Sequence, residues 1–147
     1  MKNILKVAIL TSLCIGLVYT LIVLFTEEGI TKKQAIKLAE KFIVDNGYTV
    51  APADKTKMSY ELFDQYKDNI EKVLRGRHNT LQPKAFCISE DVDRWTIGFL
   101  SITVDLDRLN STQRQTDLPG RAVVVMKNGK EVSVAHRDPA FSYFKKL

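Results

Sequence analysis

Apolar positions fall along this chain in three textures, each with its own period. Residues 7–25, VAILTSLCIGLVYTLIVLF, contain no charge. As a helix this run would measure roughly 28 Å, close to the hydrocarbon thickness of a bilayer, and it predicts a membrane span. Beyond it the apolar residues recur at helical spacing. Thr31 and Gln34 have the form of a capping box that starts a helix. Ala35, Leu38, Ala39, Phe42 and Ile43 make its apolar stripe, and Lys37, Glu40 and Lys41 take the wet side. Asn46-Gly47 ends it, because glycine accepts the left-handed conformation past a helix C-terminus. A polar connector with Pro52 follows. Ser59 is positioned to cap a second helix reaching about Arg75, with Gly76 as its stop. Its apolar side would be Leu62, Phe63, Tyr66, Ile70, Val73 and Leu74, with the hydroxyls of Tyr60 and Tyr66 in water at the rim.

From residue 84 the period becomes two. Strands are expected over 84–89 and 94–104, joined by a turn at Asp91-Val92-Asp93. In the second, Trp95, Ile97 and Phe99 point one way and Thr96, Gly98, Leu100 and Ile102 the other, so both faces are partly covered. Gly98 is the place for a bulge. Residues 105–120 read as a polar loop, of a length that is uncommon unless the loop binds something or is partly disordered. Residues 121–127 and 130–136 then flank Asn128-Gly129, the pair that a two-residue type I′ hairpin turn favours. Pro139 would close the last strand, and residues 140–144 one apolar C-terminal turn. The expected fold is α+β: a transmembrane helix, then two helices packed on a curved antiparallel sheet of about four strands.

Two units follow, a signal-anchor over 1–26 and an extracytoplasmic domain over 27–147. Lys2 and Lys6 precede the apolar run, and the positive-inside bias keeps the N-terminus cytoplasmic. The expected location is the inner (plasma) membrane, single-pass, with the domain in the periplasm or extracytoplasmic space. A cleaved signal would end at an A-x-A-like site, and none is found; a lipid anchor at Cys14 would want a small residue where Leu13 stands. All three readings deliver the domain outside. Ser12 and Gly16 have the small-xxx-small spacing that lets membrane helices approach closely.

Composition is globular, 45% hydrophobic and 27% charged. Cys14 lies in the apolar run and Cys87 is alone in the domain, so no disulfide staples the soluble part, and Cys87 reads as a buried small hydrophobe on a strand. The charge of +5 raises the question of nucleic acid. Removing Lys2 and Lys6 from the 22 basic residues leaves 20 against 17 acids, a domain charge of +3. Those charges are interspersed. The one basic cluster, Arg75-Gly76-Arg77-His78, lacks interleaved aromatics and fits a solvated helix end. No nucleic-acid partner, cofactor or metal is expected.

Three blocks carry a resemblance. Ile30-Thr31-Lys32-Lys33-Gln34-Ala35-Ile36-Lys37-Leu38-Ala39-Glu40 resembles the opening helix of bacterial immunity proteins with a nuclear-transport-factor-two-like fold, a cystatin-like α+β roll. Asp93-Arg94-Trp95-Thr96-Ile97 is similar to that family's Trp-bearing strand, and Ala122-Val123-Val124-Val125-Met126-Lys127-Asn128-Gly129-Lys130-Glu131-Val132 to its closing hairpin. The blocks cover about a third of the domain. PepSY modules share a similar T-x-x-Q/E-A helix and N/D-G-K-x-V hairpin, but the long second helix and the 105–120 loop favour the immunity-like family. Neither resemblance transfers a set of functional residues.

The resemblance implies a membrane-tethered protein that neutralises a cognate toxin by direct binding, with a PepSY-like regulatory or assembly module acting on a neighbouring envelope protein as the alternative. Arg108, Arg114, Asp117 and Arg121 are the charged rim candidates for that partner. His78, Cys87, His136 and Asp138 are the titratable residues an enzyme would use, but none sits in a recognisable motif, and no catalytic residue is assigned.

Overall fold

In the computed structural model the helical and alternating stretches meet as one α+β domain, in which two helices pack with an antiparallel sheet. The structure describes residues 29–61, 64, 66–105, 118–135 and 145–147. Among them no helix is long and apolar enough to cross a membrane, and the 7–25 run lies outside the described residues.

Helix α1 spans Lys32–Asp45 and starts where the capping box places it: the Thr31 hydroxyl accepts from Gln34 N, and Gln34 Oε1 accepts from Thr31 N. Ala35, Ala39 and Ile43 of its stripe are fully buried. Asn46 is the C-cap, and Gly47 follows at φ +80°. A Cβ at Gly47 would stand 2.6 Å from Leu74 Cδ2, so glycine answers both the turn and the close approach.

The second helix is shorter than the sequence pattern predicts. Helix α2 spans Ile70–Arg77, eight residues, and its cap is Asn69, whose Oδ1 accepts from Lys72 N, instead of Ser59. Side-chain contacts, two of them from residues remote in sequence, occupy the backbone of the expected first turn. Ser59 N donates to Asn46 Oδ1 at 2.7 Å, Ser59 O accepts from Arg77 Nη2, and Glu61 N donates to Asp64 Oδ2. Gly76 does not stop the helix; Asn79, at φ +53°, takes the left-handed position beyond it. Leu62 and Phe63 of the expected stripe lie outside the described residues.

Five strands form the sheet, in the order β4-β3-β2-β1-β5, with every neighbouring pair antiparallel. They are β1 (Cys87–Glu90), β2 (Arg94–Leu100), β3 (Gly120–Met126), β4 (Val132–Val134) and β5 (Lys145–Lys146). The fifth, laid along β1, is additional to the four expected. Ile88, Ile97, Val123 and Val134 stand opposite one another across four strands. With Trp95, Phe99 and Val125 they meet the buried stripe of α1 in the main core. The opposite face carries a second cluster of Cys87, Leu100, Val104 and Leu118, so both faces of β2 are covered as its alternation implies. Gly98 makes no bulge: β2 and β3 pair without interruption from Arg94↔Met126 to Leu100↔Gly120. Gly98 stands between Cys87 and Ala122, in a row of small side chains.

The last hairpin forms where expected, with a different turn. Asn128 keeps a negative φ, and only Gly129 is positive, at +72°. Gly129 N donates to Met126 O at 2.8 Å, the pattern of a type I turn with glycine at its fourth position. Met126 N reaches Glu131 O, which makes the loop four residues, 127–130. The wider loop receives the start of the domain: Ile30 N donates to Lys127 O at 2.7 Å, and Lys127 N donates to Asp93 O at 2.8 Å.

Candidate functional site

A concavity of about 430 Å³ opens where α2 and the 46–48 turn meet the ends of β2 and β3. Its foundation is Asn46. Buried at the end of α1, this side chain donates to Phe42 O, accepts from Ser59 N, and lies 3.4 Å from Arg77 Nη1. Tyr48 O accepts from Thr80 N and Leu81 N, which ties the end of α1 to the segment entering the sheet. These contacts between distant segments bring Tyr48, Thr80 and Arg77 together along the cleft.

Arg77 ends α2 with only 5% of its surface exposed. Its Nη2 meets Asp64 Oδ2 at 2.5 Å and Ser59 O at 3.0 Å, and lies 4.0 Å from Glu61 Oε1. The guanidinium carbon sits 4.8 Å from the Tyr48 ring centroid, within the range of a cation–π contact. Glu61 is shared, since its other oxygen lies 3.7 Å from Arg121 Nη1 on β3. Two carboxylates and two guanidiniums therefore alternate along the floor. Tyr66 forms part of the mouth, with Lys72 Nζ 4.7 Å from its ring centroid. Arg77 Nε and Tyr48 Oη are without hydrogen-bond partners, and both are closed off from the surface, so they belong to the packed wall.

Both carboxylates of this cleft are engaged in ion pairs with arginine. Arginine and tyrosine in a concave setting are the side chains that dominate protein recognition. Among the described residues no group of three His, Cys, Asp or Glu side chains is placed to hold a metal ion.

Of the four rim candidates, only Arg121 lies within the described residues, and it lines the cleft. Arg108, Arg114 and Asp117 lie outside them. The titratable set is similarly divided. Cys87 is fully buried on β1, and desolvation pushes its thiol up to about 12, with only a partial offset from the Gly98 backbone. A thiol so placed is inert as a nucleophile at neutral pH. His78 is an exposed cap of α2, and its backbone N–H donates to Leu74 O. His136 and Asp138 lie outside the described residues. Sequence reasoning missed Arg77, which it placed on a solvated helix end, and missed Glu61 and Asp64 entirely. Their spacing of three and sixteen residues has no motif; only the fold brings them together.

Compared with known proteins, the chain matches no family model, no curated protein and no solved structure.

Proposed function

We propose that this chain is a membrane-tethered extracytoplasmic binding protein, and that it neutralises a cognate toxin by occupying it. The observation that carries the reading is the cleft beside α2. Its floor is an Arg77–Asp64/Glu61–Arg121 charge array, and its mouth bears Tyr66, 52% exposed. Such a surface offers aromatic area and directed charge, the make-up of a protein-recognition patch. The resemblance of the opening helix, the Trp-bearing strand and the closing hairpin to immunity proteins makes the partner a toxin. The apolar 7–25 run supplies the tether.

The test is binding of the full-length chain, held in nanodiscs, to the product of an adjacent toxin gene. Tight association without turnover is expected, with Tyr66→Ala and Arg121→Glu each weakening it by roughly tenfold or more, the scale of a hot-spot loss. An enzymatic rate intrinsic to the chain, or full binding by both variants, would refute the proposal.

One observation favours the PepSY-like alternative: the eight-residue α2 removes the long second helix that separated the two resemblances. In that case crosslinking in the native envelope should capture a neighbouring sensor or peptidase, and no toxin.

A further inference from the structure

Residues 29 and 30 are fixed to the domain in a way that orients it. Ile30 N donates to Lys127 O, and Ile30 O accepts from Trp95 Nε1 at 3.3 Å. The fit is close on both strands of the contact. A Cβ at Gly29 would stand 3.2 Å from Lys127 O, and one at Gly129 would stand 2.7 Å from Ile30 Cγ2. The chain therefore enters the domain at the β3–β4 turn. The β1–β2 turn lies beside it, joined through Lys127 N to Asp93 O.

The apolar run ends at Phe25, four residues before Gly29. Four residues fully extended reach at most about 14 Å. If the run spans the bilayer, the two-turn end of the sheet cannot stand far from the lipid surface. Its make-up suits that position. Val92, at the tip of the β1–β2 turn, is 91% exposed. Lys32, Ser89, Glu90, Asp91 and Lys127 border a groove of about 680 Å³ beside Trp95. Residues 29–32, 90–94 and 127–131 carry four basic side chains (Lys32, Arg94, Lys127, Lys130) and four acidic ones (Glu90, Asp91, Asp93, Glu131). Arg94 pairs with Asp91 and Asp93, and Lys127 with Glu90; a balanced end of this kind gains nothing from an anionic surface potential, whereas groups of both signs side by side complement headgroups that carry both phosphate and ammonium.

We infer that the end of the domain formed by the β1–β2 and β3–β4 turns rests on a zwitterionic lipid headgroup layer, with Val92 as its point of insertion. The inference rests on the tethered reading given above. Its consequence is that the Arg77 cleft, at the other end of β2 and β3, is held roughly 20 Å further from the membrane by the length of the strands.

The experiment uses the full chain in phosphatidylethanolamine–phosphatidylcholine vesicles that contain lipids with a nitroxide on the headgroup. A fluorophore is placed at Val92→Cys or at Ile102→Cys, beyond the far end of β2, in a Cys14→Ser background. Buried Cys87 does not take the label. The Val92 label is expected to lose most of its emission to the nitroxide and the Ile102 label to keep it, with no increase on adding anionic lipid or lowering salt. Trp95, the single tryptophan, reports the same end without any substitution there, and should be quenched as well. Retention of the chain by vesicles after an alkaline wash tests the tether separately. Retention with equal or inverted quenching overturns the inference alone. Quenching that depends on anionic lipid overturns the zwitterionic assignment, and loss of retention overturns both readings.

Discussion

A guanidinium taken out of water loses several kcal/mol of hydration, and at Arg77 that loss is offset at Nη1 and Nη2 by Asp64, Ser59 O and Asn46, while Nε is unpaired. Removing the cation alone leaves those acceptors, above all the Asp64 carboxylate, stranded. Arg77→Met should therefore destabilise the domain by about 3–5 kcal/mol, read from urea denaturation. Adding Asp64→Asn should recover a large part of that loss. Equal stability of the single variant and the parent would show the array to be dispensable. At Cys87 the effect follows pH. Its pKa rises from 9.0 to about 12 in the fold, so the unfolded chain gives up the proton first. Between these values the native state holds more protons, and stability should fall as pH climbs through the window, while below 9 the contribution is intact. Melting temperatures of Cys87→Ala should decline less steeply there, and thiol reagents should label the parent's Cys87 only once it is unfolded.

At the level of elements, what the sequence reveals depends on whether a segment's backbone groups are met locally. The α1 capping box is legible because Thr31 and Gln34 satisfy each other across three residues. The start of the second helix is not, because Asn46 and Arg77 claim Ser59's backbone from 13 and 18 residues away. The Asn128-Gly129 turn is legible in position but not in type, since the loop also receives Ile30, nearly a hundred residues earlier in the chain. These assignments can be tested where they differ. Asn69→Ala should cost about 1 kcal/mol, the usual value of a helix cap, whereas Ser59→Ala should leave α2 unaffected because its role is played by the backbone. Gly129→Ala should cost about 1–2 kcal/mol from the left-handed φ alone, and more from the clash with Ile30. Denaturant midpoints of the three variants would rank them Gly129, Asn69, Ser59. A loss at Ser59 equal to that at Asn69 would restore the longer helix.

Across the whole molecule, the α+β architecture and the two-faced packing of β2 follow from periods of 3.6 and 2, which any residue can count. The charge array of the cleft and the fifth strand do not, because both join segments distant in sequence. Lys145-Lys146 has no apolar signature; it becomes a strand because the outer edge of β1 offers unpaired backbone, and Leu147 N extends the contact to Phe86 O. Covering that edge has a consequence for assembly. β1 carries Cys87 and Ile88, both essentially buried, and an uncovered edge beside apolar side chains is a template for pairing with a second chain. Ending the chain at residue 144 should then produce association in proportion to concentration, seen by light scattering in a detergent where the full chain is uniform. Edge-on pairing predicts that antiparallel strand signal is retained as mass rises, whereas general unfolding would lose it. A truncated chain with unchanged mass and melting temperature would mean that β5 contributes little to covering β1.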